Sequence, residues 1–151
     1  MQSKVLLLIL IVSLNLSLGK EYTRCEFVRE LYGHGMTLKE LANWACIAEL
    51  ESGFNTNVTR GPGDDGSMDH GPFKISDRWW CVEGSKPSAN YCRTKCQELR
   101  SDSISASINC ARRIYYQQGY GAWHNTWLKY CDNQLPDYED CFPIIRGRRM
   151  N

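Results

Sequence analysis

Apolar residues in this chain form one uninterrupted run near the start and several helical stripes after it. The run, Val5 to Val12, follows Lys4 and gives way to the small residues Ser17 and Gly19. A basic residue, a short apolar stretch and small residues at the cleavage positions predict a signal peptide over residues 1–19. No later stretch approaches the about 18 apolar residues that a membrane-spanning helix needs. The first stripe places Phe27 and Leu31 one turn apart and predicts a helix from Arg24 to Tyr32, stopped by Gly33. The second is better marked. Thr37 and Glu40 have capping-box spacing, Leu41, Trp44 and Ala48 share a face, and Gly53 stands where a C-cap belongs. Glu51 therefore falls in that helix's last turn.

Between Thr56 and Asp69 the pattern changes to turn formers, Gly61-Pro62-Gly63 and Asp65-Gly66-Ser67 among them, which predicts a hairpin and loop continuing as short strands to about Ile75. From Cys81 to Cys96 there is no clean period, so this segment reads as a loop pinned by disulfides. A third helix is expected to open at Ser101 or Asp102, carry Ile104, Ile108, Ala111 and Ile114 on one face and stop near Gly119. A short fourth turn then holds Trp123 and Trp127. Helices at both ends with a small β segment after the second define an α+β fold.

Cysteines and charge add the compartment. The eight cysteines, Cys25, Cys46, Cys81, Cys92, Cys96, Cys110, Cys131 and Cys141, are an even number in a small chain that carries an export signal, so four disulfides and an extracellular, secreted location are expected. The count leaves the pairing open. Without a Cys-x-x-Cys pair or a His-Glu-x-x-His motif, and with only three scattered histidines, no metal site and no cofactor are expected. The 132 residues from Lys20 to Asn151 suit one domain. Without Lys4 the basic residues number seventeen against seventeen acidic ones, so the expected mature chain is formally neutral and neither nucleic acid nor an anionic membrane is an expected partner. The end of the chain, residues 142–151, carries three arginines and reads as a flexible basic tail.

Two carboxylates stand out. Glu51 at a helix C-terminus, beside Leu50 and Phe54, is in a setting that suits a proton donor. Asp69 lies among Asp65, Gly66, Ser67 and Ser76, whose amides and hydroxyls are expected to favour its ionised form. An acid and an ionised partner on opposite walls of a cleft make a glycosidase pair. Trp79 and Trp80, with Trp123 and Trp127, supply surface on which sugar rings stack. The competing reading of such residues is ordinary surface acid and core indole.

The motifs that tip the balance are Trp44-Ala45-Cys46, Glu51-Ser52-Gly53-Phe54-Asn55-Thr56, Gly66-Ser67-Met68-Asp69-His70-Gly71, Trp79-Trp80-Cys81 and Ala122-Trp123, with all eight cysteines in matching order. From Arg24 to Cys141 the chain resembles the animal c-type lysozymes, as a divergent, insect-like member. The resemblance implies a helical lobe and a small antiparallel β lobe with a cleft between them, residues 20–141 forming the domain. It also implies the pairs Cys25 with Cys141, Cys46 with Cys131, Cys81 with Cys96 and Cys92 with Cys110. It assigns Glu51 as general acid, Asp69 as nucleophile or electrostatic stabiliser, and Trp79, Trp80, Trp123, Ser76 and Ala122 to substrate. The acid and stabiliser logic is itself described from lysozymes and comes with the resemblance. The implied substrate is peptidoglycan, at the β-1,4 bond between N-acetylmuramic acid and N-acetylglucosamine, or a chitin-type oligosaccharide, acted on by a monomer.

Departures from the family crowd one segment. Where relatives read Tyr-Gly-Ile-Phe-Gln-Ile-Asn, this chain has His70-Gly71-Pro72-Phe73-Lys74-Ile75-Ser76. Lys74 matters most, because a cation beside either carboxyl favours its ionised form and opposes the acid role of Glu51. Pro72 is expected to remove a backbone donor from a strand, and Ser76 keeps one hydroxyl donor where the family has an amide. Gln117 replaces a sugar-binding aspartate. These changes motivate an alternative function, a catalytically weakened sugar-binding or recognition protein. Ser101, Ser103, Ala106 and Ser107 occupy places where calcium-binding relatives have aspartates, so no calcium site is expected. Asn57-Val58-Thr59 is a possible glycosylation sequon.

Overall fold

The computed structural model describes residues 19–143. The expected signal peptide, apart from Gly19, and residues 144–151 of the expected basic tail lie outside them.

Helix α1 spans Arg24–Gly33 and is opened by Thr23, which forms a capping box with Glu26 that the apolar stripe alone did not reveal. Helix α2 spans Leu38–Ser52. Its Thr37 and Glu40 close the predicted capping box, and Gly53 ends it in the left-handed conformation at φ 60°. Every residue of α2 from Leu41 to Ala48 is buried, so this is the central helix rather than an amphipathic surface one. Trp44 at its middle meets Phe73, Tyr115, Tyr120 and Trp123 edge-on, with ring centroids 5.2–5.7 Å apart. That aromatic cluster joins the two ends of the chain to the β segment.

The β segment is a three-stranded antiparallel sheet of two-residue strands, β1 Thr59–Arg60, β2 Asp69–His70 and β3 Ile75–Ser76, in the order β1-β2-β3. Arg60 faces Asp69 across the first pairing, and Asp69 faces Ser76 across the second. Pro72 lies in the turn between β2 and β3. It therefore costs no ladder hydrogen bond, correcting the expectation that it interrupts a strand. Gly71 in the same turn has φ 74°, and a Cβ there would meet the Leu99 carbonyl oxygen at 2.2 Å. Only glycine fits that approach.

The loop after Cys81 is closed by a short helix α3, Cys96–Leu99. The long helix α4 then runs Ser105–Gln118, three to four residues later than expected. Ser101 explains the delay, because its hydroxyl bonds the carbonyls of Glu98 and Ser103 and offers the backbone a non-helical alternative. Beyond Gly119 the predicted short turn is a longer composite: a 3₁₀ segment Gly119–Trp123, one α turn at His124–Thr126 and a π turn at Trp127–Cys131. Disulfides join Cys25 to Cys141, Cys46 to Cys131, Cys81 to Cys96 and Cys92 to Cys110. No helix of the described residues is long and apolar enough to cross a membrane.

Candidate active site

A pocket of about 420 Å³ lies where α2, the sheet and the segment after α4 meet, and Glu51 and Asp69 both line it. Arg60, Lys74, Ser76, Trp80, Gln118, Ala122, Trp123 and Thr126 complete most of its wall. The sheet register accounts for three of these, since Arg60, Asp69 and Ser76 stand side by side across neighbouring strands. Trp123 is buried, and its indole Nε1 donates to the Phe73 carbonyl at 2.8 Å. Because Phe73 precedes Lys74, that bond ties the turn bearing Lys74 to the opposite wall.

Glu51 is held at both oxygens. Thr126 Oγ1 donates to Oε1 through a short hydrogen bond, and Lys74 Nζ lies 2.7 Å from Oε2. The side chains of Lys74 and Glu51 are 7% and 14% exposed, so the ion pair is shielded from solvent. Lys74 reaches inward from a backbone at φ 46°.

Asp69 does not have the surroundings its sequence neighbours promised. Its carboxyl is pushed up from the ordinary value of 3.8, chiefly by burial, with Lys74 opposing and Glu51 and Asp77 reinforcing. Among the described residues no hydrogen bond reaches it from Ser67, whose amide donates to Asp65 Oδ1 at 3.0 Å, or from Ser76, whose Oγ serves as acceptor for the Arg78 amide. Asp65, not Asp69, is the carboxyl drawn down, to about 2, by Ser67 and Arg78.

Behind Asp69 the next residue turns away from the pocket. His70 is 2% exposed, and its Nδ1 lies 2.6 Å from Arg100 Nη1. A guanidinium only donates, so Nδ1 accepts and Nε2 carries the proton. Nε2 has no hydrogen-bond partner, the nearest anion being Asp77 Oδ2 at 3.7 Å. Asp77 is itself buried and accepts from the Met68 amide and Lys86 Nζ.

The other expected substrate residues divide. Trp80, Trp123, Ser76 and Ala122 reach the pocket with the two carboxyls. Trp79 is exposed on a separate surface depression with Arg78, Lys86 and Pro87, its ring beneath the Arg78 guanidinium. Trp127 packs inward, stacked on Tyr120 with Nε1 bonded to Asn43 Oδ1. Gln118, rather than Gln117, lines the pocket. Asn57 is exposed, two residues before Thr59, whose hydroxyl accepts from Arg100. The two groups of potential metal ligands, His70 with Cys81 and Cys96 and Asp140 with Cys25 and Cys141, have their sulfurs committed to disulfides and offer no thiolate. Arg60 and Thr126 were not among the residues expected here. Thr126 carries no local signal, as it meets Glu51 across 75 positions of chain.

A family model described as the C-type lysozyme/alpha-lactalbumin family matches residues 20–141. The chain belongs to that family. It is 45% identical over 127 residues to Lysozyme 1 of Musca domestica, covering 83% of this chain and 89% of that protein. It is 44% identical over 125 residues to Lysozyme 2 of Lucilia sericata, covering 82% and 87%. Among solved structures, lysozyme from Equus asinus superposes with a TM-score of 0.73 at 36% identity, covering 81% of this chain and 98% of that one. In this lysozyme-family chain the cleft between helices and sheet is therefore the place to look for chemistry.

Proposed function

We propose that this protein is a secreted lysozyme, released after removal of residues 1–19, that hydrolyses the β-1,4 bond between N-acetylmuramic acid and N-acetylglucosamine in bacterial peptidoglycan. Membership of the family, with lysozymes as its relatives at 45% and 44% identity, makes the chain a glycosidase acting on polysaccharide. The observation that carries the finer reading is that Glu51 and Asp69 share one pocket whose lining includes Trp80 and Trp123.

In this reading Glu51 delivers a proton to the glycosidic oxygen as the bond to the anomeric carbon breaks. Asp69 faces the positive charge that develops there, as nucleophile or stabiliser. Water then adds to the anomeric carbon and returns its proton to Glu51. Burial suits Asp69 to this task, because a poorly hydrated carboxylate has more to gain from a developing cation. The formally neutral mature chain fits a digestive role at least as well as an antibacterial one, since cationic variants would gain more from anionic walls.

One observation favours a second reading, a cleft that binds sugar without cleaving it: Lys74 occupies Glu51 Oε2 at 2.7 Å. Clearing of a bacterial wall suspension by wild type and Glu51→Gln from acid to neutral pH separates the two. Catalysis by Glu51 predicts a loss of about 100-fold or more in the variant. Equal clearing removes Glu51 from the mechanism. Calorimetric binding of oligosaccharide by a wild type that clears nothing supports the second reading.

A further inference from the structure

We propose that Asn57 carries an N-linked oligosaccharide, and that this glycan shields the free edge of the sheet and the loop beyond it from proteases. The inference rests on the reading of residues 1–19 as a removed export signal.

Asn57-Val58-Thr59 is the one Asn-x-Ser/Thr triplet of residues 20–151, and its middle residue is not proline. The fold leaves it ready to bear a bulky group. Asn57 sits exposed in a turn just ahead of β1, and among the described residues its side-chain amide makes no hydrogen bond. The backbone around it is fixed by other groups. Thr56 is fully buried, its amide donates to the Lys20 carbonyl at 2.9 Å, and its hydroxyl accepts from the Lys20 nitrogen at 2.7 Å. The Asn57 amide donates to Asn55 Oδ1 at 2.8 Å, and the Val58 carbonyl accepts from the Gly71 amide at 2.9 Å. A substituent on Asn57 Nδ2 therefore breaks none of these bonds. One neighbour stands close: a Cβ on Gly19 would fall 2.4 Å from the Asn57 Cβ. Gly19 leaves with the export signal, which opens that flank.

The modification needs no oxidant or reductant. Its donor is a lipid-diphosphate oligosaccharide. Asn57 Nδ2 bonds to the anomeric carbon, the bond from that carbon to the diphosphate oxygen breaks, the lipid diphosphate leaves with the electron pair, and Nδ2 gives up one proton.

What the glycan covers follows from the topology. β1 is an edge strand, paired in the sheet with β2 alone, and residues 59–66 are exposed throughout. That stretch combines an unpaired edge with an exposed loop of small and polar residues, both of which invite attack. Arg60 lies three positions beyond Asn57, at most about 11 Å along an extended chain. The Arg60–Gly61 bond is open to a protease that cuts after basic residues, and an oligosaccharide rooted at Asn57 is within reach of it.

The test uses the full chain expressed in insect cells, with the amino terminus of the secreted protein sequenced. Its intact mass should exceed that of the polypeptide by an oligosaccharide, and release by peptide N-glycosidase should convert Asn57 to aspartate. Asn57→Gln and Thr59→Ala should lose the added mass, and Thr59→Ser should keep it. Trypsin should cut after Arg60 several-fold faster in the deglycosylated protein and in Asn57→Gln than in the glycosylated form. Mature protein recovered from the medium with Asn57 bare overturns the inference. Equal cutting after Arg60 with and without the glycan refutes the shielding, as does a parallel rise in cutting after Arg113 on α4, which reports a loosened fold. A chain kept in the cell with residues 1–19 attached overturns the export reading instead. A leader of known function in their place then decides the glycan: a modified Asn57 supports it, and a bare one refutes it.

Discussion

Trp123 and Phe73 hold the two halves of the cleft in fixed relation, through an indole N–H that donates 2.8 Å to a buried backbone carbonyl. The next residue along the strand turn is Lys74, which reaches Glu51. One wall therefore sets where the cation on the other wall stands.

Trp123→Phe tests this link. Phenylalanine keeps an aromatic ring against Trp44 but leaves the Phe73 carbonyl without its donor, an expected loss of about 1–3 kcal/mol. Urea unfolding with linear extrapolation measures it. A variant as stable as wild type would show that the bond does not organise the turn.

Asp69→Asn separates stability from activity. Burial raises the Asp69 carboxyl above its ordinary 3.8 in the folded state. The native protein then binds more protons than the unfolded chain at pH values just above 3.8, and the ionised carboxylate costs stability at neutral pH. The asparagine variant should be more stable than wild type at pH 7. That advantage should shrink as pH falls toward 3.8, while hydrolysis is lost at every pH. Thermal unfolding across that range, paired with wall clearing, provides both readings. An asparagine variant less stable at pH 7 would mean that Asp69 is held by bonds favouring its ionised form.

His70 should make the fold acid-sensitive. Burial and the neighbouring Arg100 push its imidazole below the ordinary 6.5, with Glu83 and Asp77 opposing. A depressed histidine binds fewer protons when folded than when unfolded, so stability drops as pH falls through 6.5 and below. Lys86 faces the same cluster through Asp77 and keeps that carboxylate engaged. His70→Phe, which fills the site without a titrating group, should flatten the slope of unfolding free energy between pH 7 and 5. Parallel slopes in the two proteins would assign the acid sensitivity to other groups.

What could be read along the chain followed from rules acting over a few residues. Thr37 with Glu40 and Gly53 fix the two ends of α2 through backbone N–H and C=O groups that must be satisfied within a turn, and so place Glu51. The same logic misplaced the start of α4, because Ser101 looks like an N-cap but spends its hydroxyl on Glu98 and Ser103. The cysteine order carried the pairing only by resemblance, since spacing does not constrain which sulfurs meet.

The site divides along the same line. Glu51 and Asp69, the cleft indoles and the presence of a lysine at position 74 were legible, being residue types in recognisable motifs. Which carboxyl Lys74 would join was not, nor that Thr126 would hold the same acid, nor that Asp69 would be starved of the donors beside it in sequence. Those outcomes depend on where separate segments come to rest: the direction a side chain takes from a left-handed turn, the strand register that sets Arg60 and Ser76 beside Asp69, and a contact closed over 75 residues. Sequence determined the frame and the chemical groups within it. The tertiary structure decided their partners, because charge and hydrogen bonding act through space and only the packed chain sets those distances.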